Sequence, residues 1–548
     1  MYNGHANVAL LLLGHCTDVD VQGFDEQTPL HIAVDSGLLE VTRTLIERDA
    51  SINAQDSKGQ TPLHPMFHIQ SMPFDEKYFN VVRYIIEHGA DVDAQANTEH
   101  PTPLHVASYC GGFKVAQLLL DHGADINVRG KDGRTPLHGT LVNLHDNLDD
   151  YFFDTVRFLL EHGTDIHALD NDHATPLHMV SASGSIKATW LLLEHGANVH
   201  TLDGNQLTLL HLASKSGNFK AAHLLLEHGA DVHTLVGNHS TPLHFASEGG
   251  NAETAHVLLE HGADIHALDG NHSTPLHFAS ESGNAKTAHL LLEHGADIHV
   301  LDGNHSTPLH FASESGNTKT ADLLLEHGAV LDARNNEDST PLHVASQCGN
   351  AWVARLLLEH GADIHVWNKT DQTPQHILLA MCSNRPPDDD IDTIQFFVDP
   401  SADVDAVDNY HLTLLHRASY WGNIKFVQLL LERGANLNTR NKVGQTPLHH
   451  LLVGLVDGSV DCYFDTMQLL LENGVDVDAL DDAQSTPLHV ASEYGCTKLE
   501  ATGLLLKYGA SVHLQNNQGQ TPSQLASARG HEEITRMLSE HLQSEQKM

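Results

Sequence analysis

TPLHFASESGNAKTAHLLLEHGADIHVLDGNHS, residues 274–306, is one complete cycle of a pattern that fills this chain. Thr274 is a natural N-cap and Pro275 suits the first helical position, so a helix is expected to start there. Leu276 and Ala279 lie one turn apart on it, and Gly283 is placed to end it in a left-handed conformation. A second helix follows, with Ala288, Leu290, Leu291 and Leu292 as its apolar stripe, and ends at Gly295. Residues 297–306 read as an extended segment with a turn at Gly303–Asn304. Neither helix can bury its apolar face alone, so successive copies must stack on one another.

The Thr that opens the cycle recurs at Thr28, Thr61, Thr102, Thr135, Thr175, Thr208, Thr241, Thr274, Thr307, Thr340, Thr373, Thr413, Thr446, Thr486 and Thr521. The commonest interval is 33 residues, as in 307 − 274. The TPLH start, the Ala of the first helix, the LLLEHGAD end of the second and this period together resemble the ankyrin repeat. The resemblance covers essentially the whole chain. It implies a repeat solenoid dominated by α-helices: stacked helix-turn-helix ankyrin units with β-hairpin fingers, curved into a superhelix. First helices and fingers would line a concave face where partners bind.

The implied units run 23–55, 56–96, 97–129, 130–169, 170–202, 203–235, 236–268, 269–301, 302–334, 335–367, 368–407, 408–440, 441–480 and 481–515. A partial unit, 1–22, precedes them and holds a second helix only; a polar capping unit, 516–548, follows. That partial start leaves residues 10–13 with an uncovered apolar face, which suggests a piece of a longer protein or a separate cover. Units 56–96, 130–169, 368–407 and 441–480 are longer than the rest. Each enters its second helix through an acidic, aromatic segment such as NLDDYFFDTVRFLL. An extended loop with an acidic helix cap explains these segments; a dedicated binding loop is the alternative.

Departures from the repeat are informative. Thr208-Leu209 and Thr413-Leu414 lack the proline, and Gln375 and Gln524 replace the usual Leu and His. Gly59, Gly133, Gly444 and Gly519 occupy a finger-turn position that holds His173, His239, His272, His305 and His411 in other units. If the backbone there keeps a positive φ, each histidine costs stability.

Lys+Arg number 29 against 71 Asp+Glu, a formal net charge of −42. Such a field repels phosphate backbones and anionic lipid, so direct nucleic-acid and membrane binding are disfavoured. The six cysteines are scattered without a CxxC pair, which argues against a disulfide framework or zinc site and for a reducing compartment. The N-terminus lacks the basic start and cleavage site of a signal peptide, so the expectation is a non-secreted, cytoplasmic or nuclear protein. No apolar run approaches the length of a membrane span.

The 46 histidines look like chemistry, but most recur with the repeat. His244, His277 and His310 belong to TPLH, where the resemblance implies local hydrogen bonds and links between neighbouring units. His228, His261, His294 and His327 end second helices, where a cation suits the dipole and the preceding Glu. His167, His200, His233, His266, His299 and His365 follow those helices. Stacked helices about 8–10 Å apart would hold equivalent histidines too far apart to share a metal ion. No metal or cofactor is therefore expected. Full protonation of the histidines would nearly offset the acidic charge, so repulsion between units should ease as pH falls. P-loop, zincin, nucleophile-elbow and dinucleotide motifs are absent, and no enzyme is expected.

Family resemblance places the two residues before the first-helix Gly on the concave face. Across the chain these vary: Tyr109, Lys215, Glu248, Glu281, Glu314, Gln347, Tyr420, Trp421, Glu493 and Tyr494 are the candidate partner-binding residues. Aromatics there are typical anchors, and Tyr420–Trp421 is the leading pair, unless Trp421 packs on a neighbouring loop. Glu248, Glu281 and Glu314 would steer a partner with a basic surface. The expected function is a non-catalytic scaffold or adaptor for protein–protein interaction. The alternatives are a regulatory subunit, such as a transcription coregulator, or the recognition arm of a larger protein.

Overall fold

The computed structural model describes residues 6–14, 18–64, 76–98, 101–142, 149–381, 404–408, 410–455, 460–494 and 499–545. The chain divides into two compact units, Met1–Pro275 and Leu276–Met548. Among the described residues there are 29 α-helices, and all but Ala6–Leu13, Glu76–Glu87 and Pro374–Met381 come in pairs.

In the first unit the pairs include Pro103–Tyr109 with Phe113–Asp121, Leu209–Ser216 with Phe219–Glu227, and Pro242–Glu248 with Ala252–Glu260. First helices pack on neighbouring first helices, and second helices on second helices. In the 33-residue repeats the TPLH-type Leu, a first-helix Ala and a second-helix Leu supply the buried layer, as Leu104, Ala107 and Leu119 do. The second unit repeats the arrangement, with Pro308–Ser315 beside Thr318–Glu326 and Pro341–Cys348 beside Ala351–Glu359. Leu309, Ala312 and Leu324 are its equivalent core residues. Within residues 276–306, Ala288 and Leu291 are fully buried, whereas Leu290 and Leu292 are half-buried on the flanks of the stripe.

Caps form where the sequence predicts them. Thr241 and Thr307 adopt extended backbone ahead of Pro242 and Pro308 and engage the third helical residue. Thr208 still caps without the proline, its Oγ1 accepting from the His211 N–H. Gly217 and Gly316 end first helices with φ 75° and 76°.

The fingers are tight turns rather than β-hairpins. Isolated bridges join Leu202 to Thr208 and Val236 to Ser240, and no longer ladder is present among the described residues. The donors are taken by a side chain instead. Asp269 Oδ1 accepts the Asn271 and Ser273 N–H groups, at 2.9 and 2.7 Å. Asp203 and Asp302 do the same in their own fingers. These are Asx turns, which close a loop in place of a strand ladder. Backbone bonds then join finger to finger, such as Gly204 N–H to the Asp172 carbonyl at 2.7 Å and Asn336 N–H to the Asn304 carbonyl at 2.8 Å.

The long units spend part of their extra residues on helix, which amends the expectation of a loop. Their second helices span Glu76–Glu87, Asp149–Glu161 and Val460–Glu472, 12, 13 and 13 residues against the 9 of Ala252–Glu260. The corresponding segment 385–398 lies outside the described residues. At the start of the chain, helix Ala6–Leu13 buries Ala9 and Leu13 and leaves Leu11 and Leu12 exposed. At the other end, Glu532–Glu545 buries Ile534 and Leu538 under a polar outer face.

Candidate functional site

The histidines resolve into structural roles first. In TPLH, the Thr241 N–H donates to His244 Nδ1 at 3.1 Å, and His244 Nε2 lies 3.1 Å from the Ser273 carbonyl of the next finger. Thr340 and His343 repeat the geometry, with Nε2 3.1 Å from the Gln372 carbonyl. A nitrogen that accepts an amide N–H carries no proton, so the ring is neutral with hydrogen on Nε2. Each ring therefore caps its own helix and donates to the following unit. Burial pushes these histidines below the ordinary imidazole range, and outweighs the opposing hydrogen bonds to backbone carbonyls. His211, His343 and His416 are lowered to about 4.

Where a histidine ends a second helix, it donates inward. His228 Nδ1 is 2.8 Å from the Leu224 carbonyl and His327 Nδ1 2.8 Å from that of Leu323. A last-turn carbonyl is thereby satisfied, which is a cap by hydrogen bond more than by charge. At the finger turn, His173, His239, His272, His305 and His411 hold φ between 55° and 60°, so these residues do occupy the left-handed region. Among the described residues no three His, Cys, Asp or Glu side chains converge as a metal site.

The structure places the candidate partner-binding residues in three kinds of setting. Lys215, Glu248, Glu281, Glu314 and Gln347 are exposed at the ends of first helices. Tyr109 is half-buried and lines a cavity of about 470 Å³ with Asn97, His105, Lys131, Arg134 and Val142. Tyr420 and Trp421 are also half-buried, and they stack on each other edge-to-face at 4.6 Å, with His450 5.7 Å from Tyr420. Trp421 therefore packs on its own neighbour Tyr420. Glu493 is half-buried and its Oε1 accepts from Arg529 Nη2 at 2.5 Å, while Tyr494 beside it is 50% exposed.

Two features escaped the sequence reading. The Asn that follows the first-helix Gly staples units together: Asn251 Nδ2 donates to the Ser214 and Lys215 carbonyls at 2.8 and 3.1 Å. Asn317 does the same to Ser280 and Glu281, and Asn350 to Ser313 and Glu314. Recurrence of Gly-Asn at the repeat period was the available signal. The second is a row of exposed finger leucines, Leu169, Leu202, Leu235 and Leu268, again spaced by 33 residues.

Capped helix pairs, turn fingers and a buried histidine network define a repeat scaffold, one whose side chains are spent on joining unit to unit. The family model for ankyrin repeats (3 copies) matches residues 1–96, 67–148, 144–236, 233–302, 297–368, 378–462 and 458–547, and the chain belongs to the ankyrin-repeat family. It is 30% identical over 144 residues to the probable 26S proteasome regulatory subunit p28 of Saccharomyces cerevisiae, which covers 25% of this chain and 60% of that protein. It is 33% identical over 121 residues to the B-cell lymphoma 3 protein homolog of Mus musculus, 22% of this chain and 25% of that one. A third match, 28% over 148 residues, is to the transient receptor potential cation channel subfamily A member 1 of Drosophila melanogaster, covering 26% of this chain and 12% of the channel subunit. The matches thus span less than two thirds of these relatives. Ankyrin repeats form a protein–protein interaction domain. Among the described residues no helix is long and apolar enough to cross a membrane.

Proposed function

We propose that the chain is a non-catalytic scaffold that holds a partner protein against the face made by its first helices and fingers. The units delimited in the sequence, from 23–55 to 516–548, are the binding modules of this reading. The observation that carries it is the contrast within one helix. In Pro242–Glu248, Leu243, His244 and Ala246 are buried and serve the array, while Glu248 at the helix end is exposed to solvent. Glu281 and Glu314 occupy the same place in the second unit. Exposed carboxylates at repeated positions steer a partner with a basic surface and set its association rate more than its final affinity. Tyr494, half exposed beside Glu493, supplies the kind of aromatic anchor that interfaces use.

Affinity capture of the full chain, followed by mass spectrometry, tests this. The variants are Glu281→Lys/Glu314→Lys and Tyr420→Ala/Trp421→Ala. Partners should be lost or weakened in the charge variant, and the loss should shrink as salt rises. An identical partner set in both variants and wild type would exclude this face. A regulatory-subunit role is the second reading, favoured by the match over 60% of a relative named as a proteasome regulatory subunit.

A further inference from the structure

The finger segments 165–174, 198–207, 231–240 and 264–273 of the first unit have an alternation of their own. Ala168 and Asp170 point inward and are buried; His167 and Leu169 point outward and are exposed. The exposed pair returns as His200 and Leu202, His233 and Leu235, and His266 and Leu268, around half-buried Thr201, Thr234 and Ala267. Leu169, Leu202, Leu235 and Leu268 are 39%, 43%, 54% and 46% exposed, so each leaves a large part of an apolar side chain in water. A single exposed leucine needs no explanation, but four at one repeated position form a row.

The surroundings state what the row would accept. These four segments hold seven aspartates and no Lys or Arg. Asp170, Asp203 and Asp269 are buried in the finger turns, whereas Asp165, Asp172, Asp231 and Asp264 are exposed alongside the leucines. An occupant must therefore be apolar on one stripe and basic beside it. Spacing narrows the choice. The hydrogen bonds from Gly204 to Asp172 and from Gly270 to Asn238 keep neighbouring fingers in step with the stacked helices, which lie about 8–10 Å apart. At 1.5 Å per residue that interval is about 5–7 residues, one and a half to two turns of α-helix, and four leucines span roughly 16–20 helical residues.

We infer that Leu169, Leu202, Leu235 and Leu268 form a docking row for a basic amphipathic helix of a partner protein, with one apolar side chain of that helix resting at each finger. The inference rests on the scaffold reading above and names the class of partner it would take.

The test uses the full chain and a synthetic peptide of about 28 residues, helical, with leucine at every seventh position in a lysine–alanine background. Fluorescence anisotropy should show binding to the wild type. Binding should weaken about tenfold or more with Leu202→Ser/Leu235→Ser, and equally when the same peptide composition has its leucines redistributed. The substituted residues are exposed, so a thermal melt should match the wild type, and the redistributed peptide tests the spacing without altering the protein. Equal binding to wild type and leucine variant would overturn the row, as would no binding to the wild type. A leucine-dependent dimer of the chain in light scattering would also overturn it, in favour of a second copy as occupant. Loss of binding in the leucine variant, with partners unchanged in Glu281→Lys/Glu314→Lys, would support the row and sink the first-helix reading.

Discussion

His272 sits at φ 60°, where an L-residue with a Cβ pays a steric cost, yet the turn does not open. The reason is the carboxylate three residues earlier. Asp269 holds the backbone from the side chain, and its own carbonyl accepts the His272 N–H at 3.0 Å. Gly59 and Gly519 fill the same turn position with φ 74° and 70°. His272→Gly should therefore stabilise the fold, by about 0.5–1 kcal/mol once the greater freedom of glycine in the unfolded chain is subtracted. A urea midpoint that falls would show that the imidazole makes a contact worth more than the strain. Asp269 gives a complementary prediction. Asn335 and Asn441 play its part elsewhere, each accepting two N–H groups through Oδ1. Asp269→Asn keeps both turn bonds and loses only the one that Asn238 Nδ2 donates to Oδ2 at 3.0 Å, so it should cost about 0.5–1 kcal/mol, whereas Asp269→Ala also strands the Asn271 and Ser273 N–H groups and should cost about 1–3 kcal/mol. Comparable melts for the two variants would refute this account of the finger.

At the scale of the helix pair, two devices lock a unit to the one before it. In 33-residue units, Asn317 or Asn350 reaches back to the last carbonyls of the preceding first helix. In long units an aromatic ring sits there instead: a Cβ on Gly111 would stand 3.2 Å from the Phe152 ring, and one on Gly422 would stand 3.0 Å from that of Tyr463. The prediction is an asymmetry in size. Asn317→Ala removes one amide's bonds and should cost about 1–2 kcal/mol. Phe152→Ala empties a buried site and should cost about 3–5 kcal/mol. Equal losses in chemical denaturation would mean that the two residues are not alternative solutions to one joint. Helix starts at Thr241 and Thr307, the left-handed Gly217 and the buried Ala–Leu layer were legible in the sequence, because capping and periodicity are local. The acidic aromatic segments announced a departure, but not that Phe152 would cover a glycine of the preceding unit. Nor did the Asn of Gly-Asn announce its partners 36 and 37 residues away. Pairings across a stacking joint depend on geometry that no local pattern encodes. At the candidate site, Tyr494 was legible as an exposed aromatic, whereas the Tyr420–Trp421 stack and the Arg529–Glu493 bridge were not.

For the whole chain, net charge and buried histidine make opposite demands on pH. The charge of −42 suggests that acidification relieves repulsion. The TPLH histidines argue the other way, because they are buried as neutral rings whose Nδ1 accepts an amide hydrogen. Their folded pKa values lie below the ordinary 6.5: His211, His343 and His416 fall to about 4, and the buried His450, which follows the TPLH residue His449, falls to about 3. Burial is the largest cause, and nearby carboxylates such as Asp269 beside His244 and Asp302 beside His310 oppose it without cancelling it. Above pH 6.5 the ring is neutral in both folded and unfolded chain, so its contribution is fully present. Below 6.5 the unfolded chain takes up protons that the folded chain refuses, and stability drains away until the pH passes the folded value. Exposed pairs such as His223–Glu227 and His289–Glu293 lie 3.5 and 3.4 Å apart. Surface pairs of this spacing are worth about 0.3–0.5 kcal/mol each and cannot offset a protonated core ring. The urea midpoint should therefore fall steadily from pH 6.5 to 4.5, a window in which most carboxylates stay charged. His343→Gln isolates the cause. Gln524 already replaces this histidine in the last unit, where its Oε1 accepts the Thr521 N–H at 3.0 Å. The variant should lose stability at pH 7.5, where the bond to the Gln372 carbonyl is shortened out of reach, yet show a shallower decline with acid. A midpoint that rises on acidification would return the decision to net charge, and an unchanged slope in His343→Gln would remove that ring from the account.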